Sequence, residues 1–386
     1  MRPVTVVASI KPGQEAELRE VLAAIGNDIE GNPHIRFPED AWTHFARWFI
    51  IETPGHDPRL VFAATYNGDL STYVANLVRI SPGLDAIWGN CVGYAGKDTF
   101  YDFVRSHAAR LRYSYTAYPT ETVESIRDRI AIRQLLELSL TPDDLAARLL
   151  RPDVQDRLER LSPYAPPNAF VRLFRRLLDS FADRGTKVFS EFREPKKYTR
   201  VLDIYSDPAR RRAYLRHSEE LAANVSPYKQ NQLTVLAPIT PGRTFRLKLA
   251  LFLGGILARY GYPPGELTGT FTIHSLHWVI LDKGRTGLVM SNYDGVWESY
   301  LGDFADKLHY GLDALFNNCV DYPPGGLSRI EAWGEWIRTA QLVVPVYYSA
   351  YPDETALRIG RDRAITNALL GARDRHDMAA RVQGLL

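Results

Sequence analysis

The amino-acid sequence contains two copies of one pattern, and this repeat restricts the possible fold more than any other feature. Five segments recur in the same order at offsets of 227 to 233 residues. The pairs are VASIKPG and LAPITPG, HFARW and HSLHW, ATYNGDL and SNYDGVW, WGNCVGY and FNNCVDY, and YTAYPTET and YSAYPDET. An ordered series of matches predicts a duplication, in which residues from about Val4 to Arg133 correspond to residues from about Leu233 to Thr366.

Hydrophobic periodicity and turn residues predict the order β-α-β-β-α-β within each copy. In the first copy the predicted strands are Val4–Ile10, Thr43–Ile51, Leu60–Tyr66 and Arg112–Tyr118, and the main helices are Glu15–Ile25 and Leu70–Ile80. This order is that of the ferredoxin-like unit. We therefore expect an α+β protein with ferredoxin-like repeats at residues 1–133 and 233–386 and a helical insert at residues 134–232.

Composition limits the kinds of partner and the cellular compartment that we expect. The formal net charge is +2 over 386 residues, and no Lys/Arg face stands out, so nucleic acid is not an expected partner. Two cysteines, Cys91 and Cys319, cannot form a disulfide framework, and their equivalent positions favour a buried apolar role over redox chemistry. The N-terminal sequence lacks the pattern of a signal peptide, which favours the cytoplasm.

The predicted helix from Thr244 to Tyr260 is much more apolar than its counterpart in the first copy. Two readings are open. The helix is buried under the insert, or it docks on a membrane surface with Lys248 and Arg259 beside its apolar face. The second reading allows a cytoplasmic protein with peripheral membrane contact.

Several motifs of common enzyme classes are absent, namely GxGxxG, the Walker loop, HExxH, CxxC and GxSxG. Polar and aromatic residues instead gather at the predicted β-hairpin of each copy. Histidine beside a carboxylate is a usual general acid/base pair, and Tyr or Asn can donate hydrogen bonds to a developing oxyanion. The candidate catalytic residues are His274, His277, Asp294, Arg47 and His44, and the candidate substrate-binding residues are Tyr66, Trp278, Asn292, Tyr293 and Tyr300.

Comparison of the copies favours the second hairpin as the active one. Positions kept in both copies, such as Trp48 and Trp278, are explained by a shared fold. Positions that diverge are freer to serve one site, and Arg47 against His277 and Asn67 against Asp294 place polar groups at the second hairpin.

Structural roles compete with the catalytic ones at three of these positions. A hydrogen-bonded core histidine explains His44 and His274, and helix capping explains Asp294. Alternation along the second hairpin predicts that His274 lies opposite Tyr293 and shares a face with Trp278.

The segments THFARW, SNYDGVWESYLGDF and QNQLTVLAPITPG resemble a bacterial family that brings no established activity with it. More broadly, the chain resembles the dimeric α+β barrel superfamily of chlorite dismutases, dye-decolorizing peroxidases and antibiotic-biosynthesis-type monooxygenases. That resemblance implies that the two ferredoxin-like units pack their sheets into one barrel within the chain. It also implies a haem cofactor, with His309 as the metal ligand, or no cofactor at all.

Two functions follow as expectations. One is an oxidoreductase, peroxidase-like or monooxygenase-like, that acts on a small hydrophobic or aromatic molecule in a barrel pocket. The alternative is a non-catalytic protein that binds lipid or a membrane surface through residues 244–260. The sequence indicates neither the substrate nor the oligomeric state.

Overall fold

Eight strands and fourteen helices make up the described part of a computed structural model of the protein. It describes residues 1–138, 141–161, 208–223, 229–260, 265–267, 269–307, 309–372 and 375–383. The strands are β1 (Arg2–Ser9), β2 (Thr43–Ile51), β3 (Arg59–Tyr66), β4 (Leu111–Thr116), β5 (Gln230–Pro238), β6 (Ile273–Leu281), β7 (Thr286–Asp294) and β8 (Val346–Ser349).

The helices lie mainly between the strands and after β4 and β8. They are α1 (Glu15–Asn27), α2 (Leu70–Ile80), α3 (Leu84–Trp88), α4 (Phe100–His107), α5 (Val123–Glu137), α6 (Pro142–Leu149), α7 (Pro152–Arg160), α8 (Pro208–Ala223), α9 (Thr244–Tyr260), α10 (Trp297–Lys307), α11 (His309–Phe316), α12 (Ile330–Ala340), α13 (Ala356–Leu370) and α14 (Arg375–Gln383). Helices α10 and α11 flank residue 308, which lies outside the described residues.

Two antiparallel four-stranded sheets form the centre of the molecule, in the strand orders β1-β3-β2-β8 and β4-β6-β7-β5. Each sheet takes three strands from one half of the sequence and its fourth strand from the other half. Strand β8 pairs with β2 through Trp48 and Val346, and β4 pairs with β6 through Tyr113 and Trp278. Neither half therefore completes a four-stranded sheet by itself.

Alternation along the strands divides the core into layers. On β2, Trp48 faces the helices of the first half and packs on Phe62, with ring centroids 4.3 Å apart. The next residue, Phe49, faces the opposite way into an apolar layer that contains strand residues of both sheets, including Met290. Side chains of the two sheets thus share one buried layer.

Single bridges continue the pairing at the edges of the sheets. Val6 of β1 bridges Ala108, which lies just before β4, and Val235 of β5 bridges Gln341, which lies before β8. Neither sheet closes on itself.

Helix α9 has one buried face and one exposed face. Leu247 and Leu251 are fully buried, whereas Phe245 is 77% exposed and Phe252 is 62% exposed. No described helix is both long and apolar enough to cross a membrane.

Candidate functional site

A β-bulge places a histidine at the same point of β2 and of β6. In β2 the pairing with β3 steps from Thr43 to Phe45, so His44 is the extra residue. In β6 the pairing with β7 steps from Ile273 to Ser275, so His274 is the extra residue. A bulge turns a side chain away from the normal alternation and often lies beside a functional site. The expected pairing of His274 with Tyr293 is wrong, because Ile273 occupies that position and His274 is bulged.

His44 is a fully buried neutral histidine with two side-chain partners. Its Nε2 donates to Oδ1 of Asn67 at 2.6 Å, and Nδ2 of Asn67 donates to the carbonyl of Ala41 at 3.2 Å, which fixes the orientation of the amide. Burial lowers the pKa of His44 to about 3, so the ring carries one proton at neutral pH. Its Nδ1 therefore accepts a hydrogen bond from the hydroxyl of Tyr351 at 2.8 Å.

Two tyrosines connect His44 with the second histidine. The hydroxyl oxygens of Tyr351 and Tyr118 lie 3.2 Å apart. The Tyr118 hydroxyl is also hydrogen-bonded to Nδ1 of His274. Tyr118 and Tyr351 are equivalent in the repeated YTAYP and YSAYP segments, so each half supplies the tyrosine that contacts the other half's histidine.

The outer partner of His274 is a carboxylate, whereas that of His44 is an amide. Its Nε2 lies 2.7 Å from Oδ1 of Asp294, and Oδ2 of Asp294 accepts from the backbone N–H of Ala356 at 2.8 Å. Ala356 opens α13, so the carboxylate lies at the positive end of that helix. Whereas Asp69 caps the following helix α2 through the N–H of Thr72, the Asp294 carboxylate contacts His274 and Ala356 instead.

These contacts form one continuous series of six side chains, which we call the His–Tyr array. Its members are at most 9% exposed. In order they are Asn67, His44, Tyr351, Tyr118, His274 and Asp294.

Arg47 lies on the inter-sheet side of β2 and is 3% exposed. Its guanidinium donates to the hydroxyl of Thr234 at 2.7 Å, to the carbonyl of Ser291 at 3.0 Å and to the amide oxygen of Asn292. It also donates to two further neutral oxygens of β5, on Gln232 and Leu233, both at 3.2 Å. Burial among neutral acceptors lowers the pKa of Arg47 to about 10.

His277 occupies the position of β6 that corresponds to Arg47. Its Nδ1 lies 3.1 Å from the hydroxyl of Ser114, and its Nε2 lies 3.5 Å from that of Thr65. Burial, followed by the charge of Arg47, lowers the pKa of His277 to about 3. A neutral imidazole and a charged guanidinium thus lie in the same buried layer, but His277 is not part of the His–Tyr array.

The predicted substrate-binding residues lie in different places. Trp278 packs in the core on Phe316, at 5.0 Å between ring centroids. Tyr300 stacks on Tyr293 at 3.8 Å, and its hydroxyl is hydrogen-bonded to that of Ser291. Neither Trp278 nor Tyr300 lines either of the two clefts to which Tyr66 and Tyr293 contribute.

Tyr66 and Tyr293 each line a cleft at equivalent places in the two halves. The first cleft has a volume of about 180 Å³ and an apolar lining that includes Val4, Leu70 and Leu111. The second has a volume of only about 20 Å³, and Trp297 stands where the first has Leu70. The guanidinium carbon of Arg338 lies over the Trp297 ring, 3.6 Å from its centroid.

The metal and thiol candidates take no part in this geometry. His309 begins α11, and its side chain lies outside the described residues. Within the described ranges, no group of three His, Cys, Asp or Glu side chains is placed to hold a metal ion. Cys91 and Cys319 are buried free thiols, and burial raises the pKa of each to about 12.

Tyr118 and Tyr351 are the functional candidates that the sequence analysis did not select. The available signal was the tyrosine retained in both AYP segments, which a shared fold explains equally well. Their partners lie at sequence separations of 156 and 307 residues, so only the exchange of β4 and β8 between the sheets brings them together.

Comparison with known proteins adds no family assignment, since no family model, curated protein or solved structure matches the chain.

Proposed function

We propose that the protein is an oxidoreductase whose reaction centre is the His–Tyr array. The supporting observation is that two buried tyrosine hydroxyls each hydrogen-bond to an imidazole nitrogen. Burial raises the pKa of both Tyr118 and Tyr351 well above the ordinary value for tyrosine. Neither forms a tyrosinate by itself at neutral pH, so each can lose its proton only to the histidine that it contacts. That arrangement suits loss of an electron coupled to transfer of the proton.

Burial of the array favours electron and proton transfer over other chemistry. His44 and His274 are fully buried, so a substrate atom cannot touch either imidazole in this conformation. Nucleophilic and general acid/base reactions require such contact within hydrogen-bonding distance. Electrons and protons can reach a buried group without it.

For the substrate, we propose a small hydrophobic or aromatic molecule in the first cleft. Its volume of about 180 Å³ is close to that of a cavity known to bind benzene, about 150 Å³. Tyr66 lines this cleft, and the next residue, Asn67, is one end of the array.

The finer architecture that accompanies this function is an α+β barrel made of two ferredoxin-like repeats. The shared apolar layer and the bridges at Ala108 and Gln341 support it, because they join the edges of the two sheets.

Haem is the cofactor suggested by the superfamily resemblance. Both ring nitrogens of His44, His274 and His277 lie within hydrogen-bonding distance of protein oxygens, so these histidines do not fit the role of an axial ligand. His309 is the axial ligand that the superfamily resemblance implies, and its side chain lies outside the described residues. A haem titration followed by UV-visible absorption tests it, since His309→Ala should abolish a Soret band if His309 binds the iron.

The oxidoreductase proposal is tested by one-electron oxidation. Photogenerated tris(bipyridine)ruthenium(III) is mixed with the protein, and the long-lived radical is measured by electron paramagnetic resonance. We expect a neutral tyrosyl signal that disappears in the Tyr118→Phe/Tyr351→Phe double variant. Tyr73→Phe is the matched control, because the buried Tyr73 hydroxyl is hydrogen-bonded to the hydroxyl of Thr43, at 3.1 Å, instead of to an imidazole. Equal signals in the wild type and the double variant would refute the proposal.

A second candidate function, binding to a membrane surface, is favoured by the exposed face of α9. Phe245, Leu249, Phe252 and Tyr260 are exposed at spacings of four, three and eight residues, which lie on one side of a helix. Such a face can enter the boundary between headgroups and acyl chains.

Flotation with liposomes that contain anionic lipid tests this second function. The Phe245→Glu/Phe252→Glu variant should lose binding, whereas Leu357→Glu, at a 65% exposed position on α13, should retain it. Leu251 is unsuitable because it is fully buried, so a charge there would disturb the core. Unchanged flotation of the double variant would exclude α9 as the binding face.

A further inference from the structure

The two ends of the His–Tyr array differ in one functional group. His44 is backed by the neutral amide of Asn67 at 2.6 Å, and His274 by the carboxyl group of Asp294 at 2.7 Å. Residues 67 and 294 are equivalent in the repeat, as are the two histidines and the two tyrosines. The two halves of the array therefore have the same residue types except at the outer ends.

We infer that Tyr118, and not its counterpart Tyr351, is the tyrosine that gives up an electron, because only its histidine partner is backed by a carboxylate. This inference rests on the proposed oxidoreductase function and specifies its reacting residue. In the step, the O–H bond of Tyr118 breaks and its proton moves to Nδ1 of His274. One electron passes to an outer-sphere one-electron oxidant, which is reduced. Tyr118 becomes a neutral phenoxyl radical, and His274 becomes an imidazolium.

The charges around the two histidines favour this direction. An imidazolium at His274 would form an ion pair with the Asp294 carboxylate, which the N–H of Ala356 holds in place. An imidazolium at His44 would face an amide oxygen in a fully buried position, where an uncompensated charge is strongly disfavoured. Arg127 and the N-terminal ammonium group add positive potential near His44, which disfavours a second charge there.

A count of protons along the array agrees with this assignment. Since Nε2 of His44 must donate to Asn67, Nδ1 must accept from Tyr351, which uses the only proton of that hydroxyl. At the other end, Nε2 of His274 can donate to Oδ1 of Asp294, and a singly protonated ring then accepts from Tyr118 at Nδ1. The Tyr351 hydroxyl also has donor geometry towards the Tyr118 oxygen, but at 3.2 Å this contact is longer than a usual O–H···O bond. Whichever of the two acceptors Tyr351 donates to, the Tyr118 hydroxyl donates to His274. The Tyr118 proton thus already points at the group that would take it.

Single substitutions separate the two tyrosines, with the same oxidant and the same radical measurement. The radical yield should fall about tenfold or more in Tyr118→Phe, since a charge-assisted hydrogen bond of about 1.5 kcal/mol at the Asp294 end already gives a factor of ten. Tyr351→Phe is the matched control, because it removes the equivalent hydroxyl of the other half, and it should keep the signal. Loss in Tyr351→Phe with retention in Tyr118→Phe, or equal loss in both, would overturn the inference. Absence of a tyrosyl radical in the wild type would instead overturn the proposed function.

Exchange of the end groups provides a second test that does not depend on either phenylalanine variant. In Asn67→Asp/Asp294→Asn, the carboxylate backs His44 instead of His274. The radical should then become sensitive to Tyr351→Phe and insensitive to Tyr118→Phe, with circular dichroism confirming that the exchanged protein folds. An unchanged dependence on Tyr118 in the folded variant would show that the carboxylate does not select the tyrosine.

Discussion

At the scale of single residues, Arg47 shows how the interior binds a charge with neutral groups. Its guanidinium joins β2 of one sheet to β5 and β7 of the other through five oxygen acceptors. Hydrogen bonds to a charged group contribute more than neutral ones, and a buried acceptor left without a donor is destabilising.

The first prediction is that Arg47→Leu lowers the free energy of unfolding by about 3 kcal/mol, because it leaves buried oxygens without donors. Urea denaturation followed by circular dichroism measures the change. Arg110→Leu is the control at an exposed arginine, and it should change the stability little. A similar small effect for both variants would mean that the five bonds add no net stability.

The second prediction concerns pH and His277. Its pKa is about 3 in the folded protein and near the ordinary 6.5 in the unfolded chain, so the unfolded state binds more protons between these values. Its contribution to stability is complete above pH 6.5 and is lost as the pH falls towards 3. The slope is about 1.4 kcal/mol per pH unit, and His277→Gln should remove it from the stability profile.

His56→Gln is the control at an exposed histidine, 3.5 Å from the Asp282 carboxylate, and it should leave the slope assigned to His277 in place. The comparison must be between profiles, because burial raises the pKa of Asp362 to about 7 and gives a slope of opposite sign. That contribution is complete below the ordinary carboxyl pKa and is lost as the pH rises through 7. An identical slope in the parent and in His277→Gln would show that His277 takes up its proton at the same pH in the folded and the unfolded states.

At the scale of elements, most helices and strands were predictable, but their partners were not. The predicted β2 and α2 agree with the observed bounds, and β3 differs by one residue. Local periodicity and turn residues carry that information. Strand β8 has only four residues, and its pattern gives no reason to pair it with β2 instead of a strand of its own half.

The candidate site was only partly predictable for a related reason. His274 and Asp294 were selected from their residue types, and the structure places them 2.7 Å apart. The bulges at both histidines were not expected, because one extra residue leaves no mark on an otherwise regular pattern. Tyr118 and Tyr351 were missed because their relevance depends on strand exchange.

The third prediction tests the contact between α1 of the first half and β8 of the second. A Cβ atom added at Gly26 would lie 1.8 Å from the carbonyl oxygen of Pro345, against rigid backbone. Gly26→Ala should therefore lower the thermal midpoint, despite the better helix propensity of alanine. A Cβ atom added at Gly360 on α13 would have no atom within 4 Å. Gly360→Ala should therefore raise the free energy of unfolding by up to about 1 kcal/mol. Equal stabilisation by both substitutions would show that α1 does not approach β8 this closely.

At the scale of the whole molecule, the exchanged strands make the two halves interdependent. The fourth prediction is that both unfold in one transition, since the loss of either half removes a strand from the other half's sheet. Trp42, Trp48 and Trp88 report on the first half, and Trp278, Trp297, Trp333 and Trp336 on the second.

Two variants, each keeping the tryptophans of one half and carrying Phe elsewhere, allow separate fluorescence measurements. Each fluorescence midpoint should coincide with the circular dichroism midpoint of the same variant. Gly26→Ala should shift the signal of the second half as much as that of the first. Separate transitions within one variant, or a shift confined to the first half, would identify independent folding units.

The exchange of β4 and β8 also bears on how a direction could arise in the His–Tyr array. A chain of half this length would have needed an identical partner to complete its sheet, and the tyrosine hydroxyls would then have met on a twofold axis. Both ends of such an array would have carried the same residue, so a proton would have had no preferred side. Because one chain carries both ends of the array, the two end positions can hold different residues, and the amide of Asn67 and the carboxyl group of Asp294 give an asymmetry that two identical chains cannot have.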